Sequence, residues 1–240
     1  MKIKKKMIAL MIMAAVIMTS TVPALASIYY EKTKTFYLTT SPNQVGTLEV
    51  GGMTGSQSLK KANIKSSDSS VAKLLSISNT TYKRNDWSNT STYSYKGGSI
   101  LLTLKKPGTT TISYKIGSKT YKTKARVRKY VNPLSSLTIT GINGGKNIRS
   151  IFNKVSDPSY KISKSISNIK IKAKAQDGWY FDDMRFIRGG KYGYSAMTYN
   201  NPNQTSLTLK IPKIAKNDNL QITLRNVEND GEIQLILFFN

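Results

Sequence analysis

Apolar and polar residues alternate with period two along most of the chain, and no stretch repeats convincingly at the helical period. The clearest case is Thr109–Ile116 followed by Lys119–Arg128. On the first strand Thr110, Ile112, Tyr114 and Ile116 share one face, with Ser113 and Lys115 on the other. Gly117-Ser118 is a two-residue link that can take positive φ, which predicts a tight hairpin. On the returning strand Tyr121, Thr123, Ala125 and Val127 point one way, and Lys122, Lys124, Arg126 and Arg128 the other.

Asn168–Ala175 repeats the pattern, with Ile169, Ile171, Ala173 and Ala175 inward and Lys170, Lys172 and Lys174 outward. Ser206–Ile211 and Asn219–Arg225 follow suit, with Leu207, Leu209 and Ile211, then Leu220, Ile222 and Leu224 inward. Glu232–Phe239 is apolar on both faces, which predicts either a strand covered on both sides or a contact surface. Pro133 disfavours helix at Asn132 and removes a ladder donor, so Tyr130–Leu134 reads as a junction. The expected fold is all-β, two tandem Ig-like β-sandwich domains over residues 27–131 and 132–240, each close to the roughly 100 residues of such a sandwich.

Residues 1–26 depart from this pattern. Lys2, Lys4, Lys5 and Lys6 precede an unbroken apolar run from Met7 to Met18, and Ala24-Leu25-Ala26 ends the segment on a small-x-small pattern. Twelve apolar residues are too few to span a membrane, which needs about 20. This order predicts a cleaved signal peptide, and no later run is long enough to cross a membrane. A secreted or cell-surface location follows. The chain contains no Cys, which fits a cell envelope that makes little use of disulfides, as in Gram-positive bacteria. No sorting motif closes the sequence, so covalent wall anchoring is not expected.

Composition narrows the chemistry. Without His or Cys there is no Ser-His-Asp or Cys-His catalysis, no imidazole or thiolate metal ligand and no disulfide. The 37 basic and 12 acidic residues give +25. Processing removes four lysines and leaves +21, of which +14 lies before Tyr130.

Ser66-Ser67-Asp68-Ser69-Ser70-Val71-Ala72, then Gly98–Leu104, Lys105-Lys106-Pro107-Gly108, Thr109–Ile112 and Lys119–Val127, resembles the bacterial immunoglobulin-like domain, group 2. The likeness covers about residues 33–128 and implies an Ig-like scaffold. Ser and Asp oxygens suit a turn ahead of Val71, and Lys106-Pro107-Gly108 suits a second turn. The family joins its corresponding strands by a short segment, whereas Lys73–Gly97 intervenes here. Within it, 79–89 is polar and reads as a loop. The second half resembles another Ig-like or cadherin-like sandwich on pattern alone.

Asp177, Asp182 and Asp183 surround Trp179-Tyr180-Phe181 and raise the question of a carboxylate site. Glycosidases need two carboxylates about 5–10 Å apart across a sugar, and calcium needs several oxygens at about 2.3–2.6 Å. Adjacent Asp182 and Asp183 would point to opposite faces of a strand, which suits neither. The expectation is a solvated turn, with Trp179 and Phe181 in the core, no catalytic residue, no metal and no cofactor. Gly51-Gly52, Gly144-Gly145 and Gly189-Gly190 are isolated pairs, so no phosphate loop is expected.

Two surfaces remain. Lys122, Lys124, Arg126 and Arg128 form a row with about 6.6 Å between charges, bordered by Lys115, and Lys170, Lys172 and Lys174 form a shorter one. Such rows attract polyanions, although solvation and the discouragement of edge pairing also account for lysine there. Export and the lack of a nucleic-acid motif turn attention from intracellular nucleic acid to anionic wall polymers, acidic glycans or extracellular DNA. The second surface is aromatic: Trp87, Tyr93 and Tyr95 near the insertion, and Tyr192, Tyr194 and Tyr199 after Gly190. These rings could stack on sugars or anchor a protein, or Tyr192 and Tyr194 could face inward on a short strand. The preferred expectation is a non-catalytic envelope-associated binding module. The alternative is an adhesin or assembly subunit using Glu232–Phe239 and the tyrosines.

Overall fold

The computed structural model describes residues 28–39, 44–85, 92–197 and 201–240, so the segment expected to be a signal peptide lies outside the described residues. The first half forms β1 (Tyr29–Tyr30), β2 (Thr33–Tyr37), β3 (Val45–Met53), β4 (Ile64–Ser66), β5 (Ala72–Asn85), β6 (Thr92–Leu104), β7 (Gly108–Ile116) and β8 (Lys119–Arg128). The second forms β9 (Leu134–Ile139), β10 (Ser159–Tyr160), β11 (Ile166–Ala175), β12 (Trp179–Arg188), β13 (Lys191–Met197), β14 (Ser206–Ile214), β15 (Asn219–Asn226) and β16 (Glu232–Phe239). Among the described residues the only helical pieces are short 3₁₀ turns. The fold is all-β, a tandem of Ig-like sandwiches.

Period-two alternation explains the layers. One sheet runs β1-β3-β6-β5, and a second, longer sheet runs β13-β12-β15-β16-β2-β8-β7-β4. Leu48, Val50, Ile100 and Leu102 from the first meet Ile112, Tyr114, Ala125 and Val127 from the second in one core. A third sheet, β14-β11-β9, supplies Ile169, Ile171, Leu209 and Ile211 to another core, against Phe181, Phe186, Ile222 and Leu235. The expected inward faces of β7, β8, β11, β14 and β15 are the buried ones. Gly117 opens the β7–β8 turn at φ +60°, as the hairpin requires.

The long sheet is continuous across the two cores because β2 lies between β16 and β8. Alternation along β2 sends Phe36 into the first core and Tyr37 into the second. The Tyr37 ring lies 5.2 Å from that of Trp179, and its hydroxyl accepts a 3.3 Å hydrogen bond from Asn229 Nδ2. Gly231 makes this approach possible: a Cβ there would lie 2.6 Å from Tyr37 Cε2. The segment after β8 is pinned as well. Tyr130 donates to the Phe152 carbonyl at 2.7 Å, and burial pushes its phenol well above the usual value. Asn132 Nδ2 donates to the Arg149 carbonyl at 2.9 Å.

The turn before β5 shows why its serines and aspartate are there. Thr110, only 2% exposed, accepts the Asp68 N–H at 2.9 Å and meets Ser66 Oγ at 2.9 Å. Asp68 in turn accepts from Ser70 N and Oγ, and these bonds hold its carboxyl below the usual range. At Gly108 a Cβ would come within 2.7 Å of Val71, so the second turn also closes on the first.

Three expectations change. The polar 79–89 segment is not a loop through Asn85: β5 and β6 pair out to Asn85↔Thr92 as a long arm. From Ser78 to Thr81 the arm is exposed on both faces, so no buried face imposes alternation and only the backbone ladder marks the strand. Trp179–Phe181 begins β12 instead of forming a solvated turn, although Trp179 and Phe181 do enter the core. Finally, β16 buries one face through Ile233, Leu235, Leu237 and Phe239, while Glu232, Gln234 and Phe238 are exposed on the other.

Candidate polyanion-binding faces

The hairpin register builds the first face. Ser113 lies opposite Lys122, Thr111 opposite Lys124 and Thr109 opposite Arg126, while Lys115 faces Thr120. Lys115, Lys122, Lys124, Arg126 and Arg128 are all exposed on the outer side of the sheet. On the far side of β8, parallel β2 places Thr33 beside Lys124 and Thr35 beside Arg126. Thr35 is buried against Gly231, so the second sandwich closes over that corner of the row.

The second face is the outer side of β14-β11-β9. Lys170, Lys172 and Lys174 project from the central strand and are exposed. Lys210 on β14 stands directly opposite Lys170. Sequence alternation already turned Lys210 and Thr208 outward, but only the cross-strand register, a non-local fact, sets them beside the β11 lysines.

Among the described residues, none of these basic side chains forms an ion pair. The acids are occupied elsewhere. Arg225 pairs with Glu232 at 2.8 Å, Asp182 at 3.3 Å and Asp230 at 3.6 Å. Arg185 pairs with Asp183 at 2.5 Å, and Arg188 lies 3.8 Å from Asp218. Burial pushes the carboxyls of Asp183 and Glu232 above the usual range, against the pull of these arginines. Arginine thus neutralises the buried acids, and the exposed rows stay uncompensated.

The three aspartates of interest do not converge. A β-bulge places Asp182 beyond the regular ladder, where it meets Arg225; Asp183 turns to Arg185, and Asp177 is exposed in the turn. Among the described residues no three acidic side chains cluster as a metal site would require.

The aromatic candidates are scattered. Trp87 and Tyr199 lie outside the described residues. Tyr93 and Tyr95 sit on the β6 arm and Tyr192 on β13, and only their backbone is described. Tyr194 pairs with Phe186 across the ladder and so shares its core-side face, yet it remains 39% exposed because β13 ends the sheet. Tyr194, Arg185, Ser195 and Met197 line an open cleft of about 300 Å³.

No protein-family model matches the chain, and no curated protein matches it. Among solved structures, it is similar to domains 4 and 5 of the S-layer protein SbsC, 20% identical over 44% of this chain and 53% of that one, TM-score 0.27. It is also similar to cadherin-like domains 1 to 4 of zebrafish RET, 11% identical over 89% and 51% of the two chains, TM-score 0.29. A third is the Yersinia pseudotuberculosis adhesin InvE, 10% identical over 89% and 58%, TM-score 0.23. The chain therefore spans about half of the first two and 58% of the third. Likeness at this level reaches the sandwich fold class and nothing finer.

Proposed function

We propose that this chain is an exported, non-catalytic module that holds to an anionic cell-surface polymer or glycan through the outer faces of β8 and β11. In this reading residues 1–26 are a signal peptide and the sandwiches divide near residues 131 and 132. The first is then a bacterial Ig-like domain of group 2, and the cell a Gram-positive bacterium. One observation carries the proposal: eight exposed basic side chains stand in strand rows without an acidic partner, while the arginines of β12 and β15 are paired with acids. Uncompensated rows give a directional positive potential at the surface, which salt weakens. Sedimentation of the protein with isolated cell walls should fall steeply between low and physiological salt. Exchanging Lys122, Lys124, Arg126 and Arg128 for Ser should weaken it further; salt-insensitive binding would overturn the proposal.

A second reading, a protein-binding adhesin or assembly subunit, draws on the exposed Tyr194 and Met197 of edge strand β13. It does not draw on the β16 edge, which is occupied by β2 at Glu232 and by β10 at Phe238 and Phe239. A stable oligomer in light scattering that a Tyr194→Lys variant dissolves would favour it.

A further inference from the structure

Lys170 and Lys210 are directly opposed across antiparallel strands, a placement that brings Cβ atoms to about 4.5–5.5 Å and is destabilising for like charges. No acid relieves the repulsion among the described residues. The two lysines border an open hollow of about 410 Å³, shared with Asn168 and Pro212, where both strands leave regular pairing. From that hollow the lysine row continues down β11 between two lanes of hydroxyls. Thr138 and Thr208 stand on either side of Lys172, and Ser136 and Ser206 on either side of Lys174. The four hydroxyls are exposed or half-exposed, and none has a side-chain hydrogen-bond partner among the described residues.

We propose that this face of the third sheet is a binding lane for a linear phosphodiester polymer of a small polyol. The lane rests on the polyanion reading above and gives it a ligand class. One phosphate sits between Lys170 and Lys210, and the next two lie over Lys172 and Lys174. Alternate residues of a strand are about 6.6–6.8 Å apart. An extended chain advances about 3.3–3.6 Å per three backbone bonds, so a six-bond polyol phosphate repeat spans about 7 Å and keeps step with the lysines. The donor set also selects. Lysine acts as a point charge, whereas the fork of arginine matches a planar carboxylate, and this lane contains no arginine. The hydroxyls on both sides donate to the two free oxygens of each phosphate. The lane presents no aromatic ring on which a nucleobase could stack.

The β8 row repeats part of the design, with Lys124 between Thr111 and Thr33. There the Arg126 position is closed on one side by buried Thr35, which leaves β11 as the open lane.

The test is titration of the intact protein with poly(glycerol phosphate), polygalacturonate and poly(dT) at two salt concentrations. Poly(glycerol phosphate) should bind most tightly. The Lys170→Gln/Lys210→Gln variant should weaken it about tenfold and lower the salt slope by roughly 1.4, at about 0.7 per phosphate contact. Its melting temperature should stay the same or rise, since a repulsive pair is removed. Thr138→Val/Thr208→Val should weaken poly(glycerol phosphate) about threefold and leave polygalacturonate unchanged, an effect charge alone does not give. Equal, salt-sensitive binding of polygalacturonate, or an unchanged hydroxyl variant, overturns the lane and leaves general polyanion binding standing. Tighter binding of poly(dT) overturns the polyol assignment. Failure of all three polymers overturns both readings.

Discussion

Tyr37→Ala tests whether the two sandwiches are locked by one residue of β2. The side chain is 8% exposed, packs in the second core although it belongs to the first half, and meets Trp179 at 5.2 Å. Truncating a buried aromatic costs about 3–5 kcal/mol, a cavity contribution included. Of that, about 0.5–1.5 kcal/mol belongs to the ring pair. The hydrogen bond from Asn229 is long at 3.3 Å and belongs at the low end of about 0.5–1.5 kcal/mol. Tyr37→Phe, which keeps the ring, should therefore cost less than about 1 kcal/mol. The chain has two tryptophans, so a Trp87→Phe background leaves Trp179 as the only one and makes its fluorescence report on this contact during urea unfolding. A total stability of about 5–15 kcal/mol makes a 3–5 kcal/mol loss readily measured. A cost for Tyr37→Ala no larger than that for Tyr37→Phe would refute the packing argument.

Three further perturbations have defined outcomes. Gly231→Val should destabilise by about 1–3 kcal/mol, because its Cβ would lie 2.6 Å from both Tyr37 Cε2 and Asn229 Oδ1; urea midpoints measure it. Thr110→Val should cost about 1–3 kcal/mol in the same assay, since it keeps the shape but removes the acceptor of the Asp68 N–H in a buried position. Burial pushes the Asp183 carboxyl up, so the folded protein holds this proton at a pH where the unfolded chain, near its ordinary value of about 4, has released it. Stability from this group is accordingly gained as pH falls from neutral and lost as pH rises. Wild type should gain relative to Asp183→Asn between pH 7 and pH 5, and a gain in the opposite sense would contradict the assigned shift.

What the sequence revealed follows from what is local. The faces of β7, β8 and β11 were legible because each strand has one buried side, and burial writes itself as alternation. The outer half of the β5–β6 arm was not, because Ser78–Thr81 has no buried side and its polar residues look like those of a loop. The division of β2 between two cores was equally hidden: Phe36 and Tyr37 are adjacent aromatics, and nothing local says which core each enters. At the candidate site the lysine rows were readable residue by residue. The opposition of Lys170 and Lys210, and the hydroxyls beside Lys172 and Lys174, depend on pairing across sequence separations of about thirty to forty residues. The apolar character of Glu232–Phe239 suggested a contact strand, whereas its place between β15 and β2 in the long sheet already occupies its ladder near Glu232.

The claim that arranged faces, not net charge, carry binding is tested most directly by two variants of equal charge. One replaces Lys122, Lys124, Arg126, Arg128, Lys170, Lys172 and Lys174 with Ser. The other replaces Lys60, Lys61, Lys105, Lys129, Lys146, Lys154 and Lys216, which are exposed but lie outside the two rows. Affinity for isolated cell walls at physiological salt should fall at least tenfold for the first and stay near wild type for the second. Equal losses in both would mean that the charge of +25 acts as a whole and that the strand faces have no special role.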